Sequence, residues 1–317
     1  MSSPGKVPEI SIVVPVFNRL RYLQDAVASI FAQTFEDWEL LIADDGSDRP
    51  TQAYLQELAS RPRVQVIRLS HTGNPGVVRN AALAVAQGRY VTFLDSDDVW
   101  TADKLQRQWT ALEARGDCEW SYSTFLLVDE ALRIGDGRIG PSQSGRILEP
   151  LVAMEALIAT STVMIRRTAL ALVGTFDPRL SSCEDYDLWL RLAAHGPVVA
   201  LGEPLLHVRR HREHHGTDVM AFEGRRAALE KLTHRAEPRL AALIRLQRAQ
   251  IEGRLVEAYV VMGERRAALS ALLASFPRSW RYAGWWSRVL RAAVRCAPKR
   301  ITDGVRRLKA AARNATS

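Results

Sequence analysis

Asp95, Asp97 and Asp98 stand within four consecutive residues, directly behind the apolar run 90–94. Carboxylates this close repel one another unless a cation lies between them, and their hard oxygens suit Mg2+ or Mn2+. An ion held there can bridge the two phosphates of a nucleotide and stabilise them as they leave. One of the three, Asp98, could instead cap a helix starting near Thr101. Asp44-Asp45-Gly46-Ser47 ends a second apolar run, residues 38–43. A carboxylate there can accept a hydrogen bond from a base N–H, although Asp-Gly-Ser also makes a plain turn. Arg79 follows Gly73-Asn74-Pro75-Gly76 in the first turn of an expected helix, where its guanidinium can meet phosphate or only water. Finally, Cys183-Glu184-Asp185-Tyr186-Asp187-Leu188-Trp189 gathers acids at a helix start. The macrodipole favours them there, and one at a pocket edge can also remove a proton from an attacking hydroxyl.

What must position these residues is legible in the hydrophobic periods. Residues 10–16 are a short apolar run rich in β-branched side chains and read as a buried strand; residues 38–43 are a second apolar run, and 64–69 and 89–94 read as a third and fourth strand. Residues 20–33, 51–60 and 76–87 carry apolar positions at helical spacing. This alternation predicts a mostly parallel, Rossmann-like α/β sheet flanked by helices on both faces. Ligands bind such sheets outside the carboxyl ends of the strands. Residues 15–19, 44–48 and 95–98 should therefore converge on one rim. Beyond Trp100 the pattern predicts helices at 102–114, 168–173 and 184–194, and strands at 118–128, 161–165, 197–201 and 205–208. Residues 135–145, rich in glycine, read as a flexible loop.

The 317 residues are 47% hydrophobic and 25% charged, which excludes fibrous and wholly disordered classes. Cys118, Cys183 and Cys296 lie too far apart in sequence for a disulfide framework or a CxxC zinc site, so a reducing compartment is expected. No apolar run reaches membrane-spanning length, and residues 1–6 lack a signal-peptide core, so the expected location is cytoplasmic. Charge is uneven: residues 221–317 hold 21 Lys and Arg against 7 Asp and Glu, and residues 1–220 hold 22 against 28. Two domains are expected, at 1–220 and 221–317. The second reads as helical, with residues 257–277 resembling either one tetratricopeptide helix pair or a plain helical hairpin. Its Trp280, Trp285 and Trp286 stand among Arg278, Arg281, Arg288, Arg291 and Arg295. Such a helix suits an anionic membrane interface at the inner face of the cell membrane, or packs its tryptophans on the first domain.

Residues 9–211 together resemble a family 2 glycosyltransferase of the GT-A fold. The resemblance rests on Ser11-Ile12-Val13-Val14-Pro15-Val16-Phe17-Asn18, Gln33-Thr34-Phe35, Asp44-Asp45-Gly46-Ser47, and Gly76 through Arg79-Asn80. It continues through Gly88-Arg89-Tyr90, Asp95-Ser96-Asp97-Asp98, Gly174-Thr175-Phe176-Asp177 and Glu184-Asp185-Tyr186-Asp187-Leu188-Trp189. The family often has two glycines before Phe-Asp where Gly174-Thr175 stands here. The resemblance implies an inverting, metal-dependent transfer of a sugar from a nucleotide-diphosphate sugar to an acceptor hydroxyl, in bacterial cell-surface polysaccharide or glycolipid synthesis. Pro15, Phe17 and Asn18 would lie at the base pocket, with Asp45 reading the base and Arg79 near the nucleotide. Asp95 and Ser96 would meet the ribose or the metal. Asp97 and Asp98 would hold Mn2+ or Mg2+, with His211 as a third ligand. Asp185 would activate the acceptor, with Glu184 and Trp189 on the acceptor side. UDP is the expected nucleotide, with dTDP and GDP as alternatives, and the acceptor a glycan or lipid-linked glycan.

Other readings remain at this point. His207, His211, His214 and His215 could suggest zinc, although no cysteine accompanies them. Phe93-Leu94-Asp95-Ser96-Asp97 also resembles the nucleophile strand of a haloacid-dehalogenase phosphatase, a motif that class places on its first strand. A non-catalytic protein that binds nucleotide sugars, or nucleic acid through the basic tail, is a third reading. No nucleic acid is expected, because the acidic front half repels phosphate.

Overall fold

A computed structural model describes residues 7–140, 143–210, 218–233 and 236–296. The chain forms two compact units, residues 1–215 and 216–317. In the first, the elements run β1 (Ile10–Val16), α1 (Leu20–Phe31), β2 (Trp38–Asp44), α2 (Arg49–Ala59), β3 (Val64–Arg68), α3 (Pro75–Leu83) and β4 (Tyr90–Phe93). They continue as β5 (Val99–Trp100), α4 (Lys104–Glu113), β6 (Trp120–Val128), β7 (Ile134–Ile139), α5 (Leu148–Val152), β8 (Met164–Arg166), α6 (Arg167–Val173), α7 (Glu184–His195) and β9 (Val198–Arg209). The second unit comprises α8 (Asp218–Thr233), α9 (Pro238–Val261), α10 (Arg265–Ser279) and α11 (Ala283–Cys296).

Strand order is β3-β2-β1-β4-β8-β6-β9-β5, with β7 paired to β6. The pairs β2–β3, β1–β2 and β1–β4 are parallel, as the first hundred residues predict. From β4 onward the sheet is mixed: β8 is antiparallel to both β4 and β6, while β6 and β9 run parallel. From β1 the chain winds outward through β2 to β3, then crosses back through α3 to β4 on the other side of β1, so the crevice between the carboxyl ends of β1 and β4 is a topological switch point. Val16 is in register with Asp44, and Val13 with Phe93, so the acidic segments behind these strands reach the same edge.

Ile10, Ile12, Val14, Leu40 and Ile42 are fully buried, which is why β1 and β2 lack a polar alternation. Close packing fixes one glycine: a Cβ on Gly88 would lie 2.4 Å from the backbone nitrogen of Ser11. Helix α2 is capped by the Asp48 carboxylate, which accepts from Thr51 N at 3.0 Å. Helix α3 is capped by Asn74, whose Oδ1 accepts from Gly76 N at 2.9 Å and Val77 N at 3.2 Å.

Two expectations about elements need correction. Residues 134–139 of the glycine-rich excursion form β7 rather than loop, and residues 198–209 are one strand rather than two. β9 accommodates Pro204 at a register shift against β6.

Candidate functional site

At the end of β1 the chain makes a sharp turn. Asn18 and Arg19 both sit in the left-handed region, at φ 57 and 61, a conformation costly for side chains with a Cβ. The turn is held from the β2 side: Asn18 N donates to Ser47 Oγ at 2.8 Å, and Asp48 N donates to Asn18 Oδ1 at 2.8 Å. Phe17 beside it stacks on His71, with centroids 4.1 Å apart. Pro15 is half-buried next to this turn.

Asp45 is buried in the following loop. Its carboxylate accepts from Thr72 N at 2.7 Å, Thr72 Oγ1 at 2.9 Å and Gly73 N at 2.9 Å, and lies 3.0 Å from His71 Nδ1. Gly46 at φ 78 lets the loop pass His71 closely, since a Cβ there would lie 3.0 Å from the backbone nitrogen of His71. Phe17, Asp45 and His71 thus form one aromatic and acidic corner, the chemistry needed to hold a planar base by stacking and by N–H recognition.

The acidic segment behind β4 divides its carboxylates. Asp95 Oδ1 accepts from Arg79 at 2.7 Å, and Asp97 Oδ2 accepts from Arg19 at 2.8 Å. Arg79 is itself buried and donates through its other terminal nitrogen to Glu184 Oε1 at 2.6 Å. A single guanidinium therefore ties the strand-end acid to the amino terminus of α7. Its flank lies over the Phe176 ring at 5.4 Å, and its buried Nε has no hydrogen-bond partner.

Asp185 stands one residue on, half-buried, accepting from Thr160 Oγ1 at 2.9 Å and from Tyr186 N at 2.7 Å. Withdrawal from water, reinforced by the neighbouring Glu184, pushes its carboxyl up to about 6. That value suits a base working near neutrality. Cys183, immediately before this pair, adopts φ 59, so the acids enter the helix from a strained corner.

Asp98 is not a rim residue. Its buried carboxylate accepts from Ser161 Oγ at 2.7 Å and from Arg209 N at 3.3 Å, and burial holds its pKa well above the usual carboxylate range. It neither caps a helix, since α4 begins at Lys104, nor presents oxygen to a metal. Trp189, expected on the acceptor side, is a core side chain whose indole stacks on Trp120 at 6.0 Å. His211, with His214 and His215, lies outside the described residues. Ser96 is buried at the rim beside Asp95.

Among the described residues, no group of three or more His, Cys, Asp or Glu side chains is arranged to hold a metal ion. The charge balance nevertheless fits a divalent cation bound with a diphosphate. Asp95, Asp97, Glu184 and Asp185 face two guanidinium groups, Arg79 and Arg19, because the charge of Arg209 is spent on Asp25 at 2.7 Å. A diphosphate would meet excess negative charge here unless a cation came with it. Two rim carboxylates, Asp95 and Asp97, completed by phosphate oxygens, match the way Mg2+ is usually held.

Sequence reasoning placed Arg19 at the rim without a role, and it assigned no role to His71, Thr160, Ser161 or Arg209. Thr160 and Ser161 are adjacent, yet one holds Asp185 and the other binds Asp98 and receives Asp95 N at 3.0 Å. The turn is propped from below by Gln108, which donates to Thr162 O at 2.8 Å and accepts from the buried Lys104 Nζ at 2.6 Å. Arg209 Nε donates to Asp97 O at 3.0 Å, anchoring the acidic loop to the end of β9. Only the polar Thr160-Ser161-Thr162 run inside an apolar stretch could have hinted at this role. Replacing Thr160 with Val should cut kcat by about tenfold, the weight of one hydrogen bond to a charged group, while leaving the donor KM unchanged. Steady-state kinetics in donor and acceptor check it.

A sequence model of the family described as "Glycosyl transferase family 2" matches residues 11–121. TuaG of Bacillus subtilis, a glycosyltransferase named for teichuronic acid biosynthesis, is 33% identical over 190 residues, 60% of this chain and 73% of that protein. WfgD of Escherichia coli, a UDP-Glc:alpha-D-GlcNAc-diphosphoundecaprenol beta-1,3-glucosyltransferase, is 28% identical over 192 residues, 61% of this chain and 72% of that protein. Among solved structures, S. aureus TarS in complex with UDP-GlcNAc superposes with a TM-score of 0.63 at 18% identity, over 86% of this chain and 81% of that one. The mannosyltransferase of Pyrobaculum calidifontis in complex with GDP-Man and Mn2+ gives a TM-score of 0.60 at 16% identity, over 92% and 87%. These two share the fold, and with the strand-end acids and the B. subtilis relative in hand, the chain belongs to glycosyl transferase family 2.

Proposed function

We propose that the enzyme is an inverting glycosyltransferase that moves a sugar from a nucleoside diphosphate, UDP in the first instance, to a hydroxyl of a glycan or lipid-linked acceptor. The products would be bacterial cell-surface polysaccharide or glycolipid, made at the cytoplasmic face of the membrane. What supports this reading best is the Arg79 bridge, which holds a donor-side carboxylate and the acceptor-side helix start on one guanidinium. The relatives named for teichuronic acid and for a diphosphoundecaprenol-linked sugar support the acceptor class.

In this mechanism Phe17 and His71 flank the base and Asp45 accepts from its N–H. Asp95 and Asp97 would hold a divalent cation, Mn2+ or Mg2+, which when bound neutralises the diphosphate. Arg79 fixes the loop that carries them. Asp185 Oδ takes the proton from the acceptor hydroxyl as that oxygen attacks the anomeric carbon from the face opposite the diphosphate. Glu184 stays paired with Arg79, leaving Asp185 as the free base. Inversion follows from a single displacement with base and leaving group on opposite sides.

A thermal-shift series with UDP, GDP and dTDP, each with and without Mn2+, tests the donor side. At a hundred Kd of ligand, binding raises stability by about 2.7 kcal/mol, so the matching nucleotide should stand out by several degrees. The shift should need the cation and disappear in Asp95→Asn with Asp97→Asn. No shift with any nucleotide rejects the reading.

A further inference from the structure

The helical unit carries an apolar stripe that its own core does not use. Along α10, Leu269, Leu273, Phe276 and Trp280 recur at helical spacing and are 56%, 65%, 47% and 46% exposed. At 100° per residue the four fall within a narrow arc, and at 1.5 Å rise they span about 16 Å. The inward face of the same helix is different: Ala268, Ser275 and Ser279 are buried there. Helix α11 extends the patch with Trp286 and Leu290, both exposed. Trp286 is fixed beside α10, its Nε1 donating to Trp280 O at 2.7 Å and its ring edge-on to Phe276 at 6.3 Å.

Trp285 is not part of this surface. It is fully buried, with Nε1 donating to Ser275 Oγ at 3.1 Å and its ring against Phe276 at 6.0 Å. The three tryptophans of the sequence therefore split, one building the helical core and two facing out.

Positive charge is in excess around the stripe. Residues 265–296 hold seven arginines and no acidic residue; Arg278 pairs with Glu252, and Arg288, Arg291 and Arg295 gather on Glu257 of α9, while Arg265, Arg266 and Arg281 stand outside these ion pairs. Arg281 lies over the Trp280 ring at 5.1 Å, and Arg265 and Arg266 are exposed at the start of α10. Four apolar side chains in a row, tryptophans at the margin and arginines around them match the interfacial headgroup region of an anionic bilayer, where the rings sit at headgroup depth. Each arginine near such a surface adds attraction that salt weakens.

We propose that the α10–α11 face, centred on Leu269, Leu273, Phe276, Trp280, Trp286 and Leu290, docks the enzyme on an anionic lipid bilayer. This partner rests on the lipid-linked acceptor of the preceding section, because an enzyme acting on such a substrate gains from being held in the plane where it resides. The occupant is lipid rather than a second copy of the chain, since Arg265, Arg266 and Arg281, exposed and outside the ion pairs to Glu252 and Glu257, would repel their own image.

The full chain is incubated with vesicles of phosphatidylcholine containing about one-third phosphatidylglycerol, or of phosphatidylcholine alone, and floated. Wild type should float with the anionic vesicles, bind neutral ones at least tenfold less, and release as salt is raised. Leu273→Glu with Trp280→Ser should weaken anionic binding at least tenfold, and Arg266→Glu with Arg281→Glu should do so in a salt-dependent manner. All four side chains are exposed, so unfolding temperatures and nucleotide-induced thermal shifts should stay as in wild type. Equal flotation of wild type and the first pair, or no flotation of wild type, overturns the proposal. So does a wild-type dimer in sedimentation velocity that the first pair makes monomeric without any vesicle binding. Vesicle binding without a nucleotide shift would instead reject the donor reading and leave the docking face standing.

Discussion

Asp185→Asn should lower the turnover number by about 10²- to 10⁴-fold, the range general-base catalysis supplies, with nucleotide binding nearly unchanged. The amide oxygen keeps the hydrogen bond from Tyr186 N, and its NH2, in place of the second carboxylate oxygen, can donate to the Thr160 hydroxyl, so the start of α7 should hold its shape. What disappears is the lone pair that accepts the proton. The pH profile gives an independent check. The carboxyl sits at about 6 because burial and Glu184 oppose its charge. The base works only when ionised, so in wild type kcat should climb about tenfold per pH unit below that value and level off above it. Arg79 and Thr160 act in the opposite direction, so Thr160→Val should move the inflection upward. In Asp185→Asn the inflection should vanish. A variant that turns over at the wild-type rate, or keeps the same inflection, assigns the base elsewhere. Measuring UDP affinity by calorimetry on the same protein separates a lost base from a lost fold.

The parallel half of the sheet was legible because its cause is local. The runs that form β1, β2 and β4 are buried on both faces, and the polar segments behind them interrupt that pattern where each strand stops. The rim follows from topology alone. What sequence reasoning could not supply is direction within a loop. Asp97 and Asp98 are neighbours, yet one reaches Arg19 at the rim and the other turns inward to Ser161, which lies 63 residues away. Trp189 illustrates the same limit on a helix, since a large side chain beside catalytic acids can equally well face the core. Arg209 is one of two adjacent arginines, with nothing in the sequence to name its partners. Its guanidinium is consumed by Asp97 O, Glu130 O and Asp25, contacts spread over the whole first unit. The glycine-rich segment became β7 because β6 offered an open edge, and Gly137 leaves room for Leu127. In the tail, tryptophan and arginine composition was visible, but a single residue step rotates a helical side chain by 100°. That step separates buried Trp285 from exposed Trp286.

Arg79→Met should unfold the first unit more readily than any other single change at the rim, and the effect should depend on pH with a defined sign. Asp95 and Glu184 share this guanidinium at 2.7 and 2.6 Å, and removing it leaves two carboxylates facing one another without a cation. Breaking a buried pair from one side costs about 3 to 5 kcal/mol, because the remaining charge is neither solvated nor paired. For a unit of this size that is a fall in melting temperature of roughly 10 °C. The penalty belongs to the ionised carboxylates. Burial already holds the Asp95 carboxyl above its usual range, and without Arg79 to oppose that it rises further, so as pH falls the folded state takes up a proton before the unfolded chain does. Its deficit relative to wild type should therefore be full near pH 8 and shrink as pH falls through the raised folded value of Asp95, toward the ordinary carboxylate range near 4. Arg79→Lys provides the discriminating comparison. It restores one positive charge but not the fork that reaches both acids, so stability should recover in large part while transfer stays low. If Arg79→Met melted like wild type at every pH, the guanidinium would be an ornament of the loop. The donor-side acids and the catalytic helix start would then need some other tie.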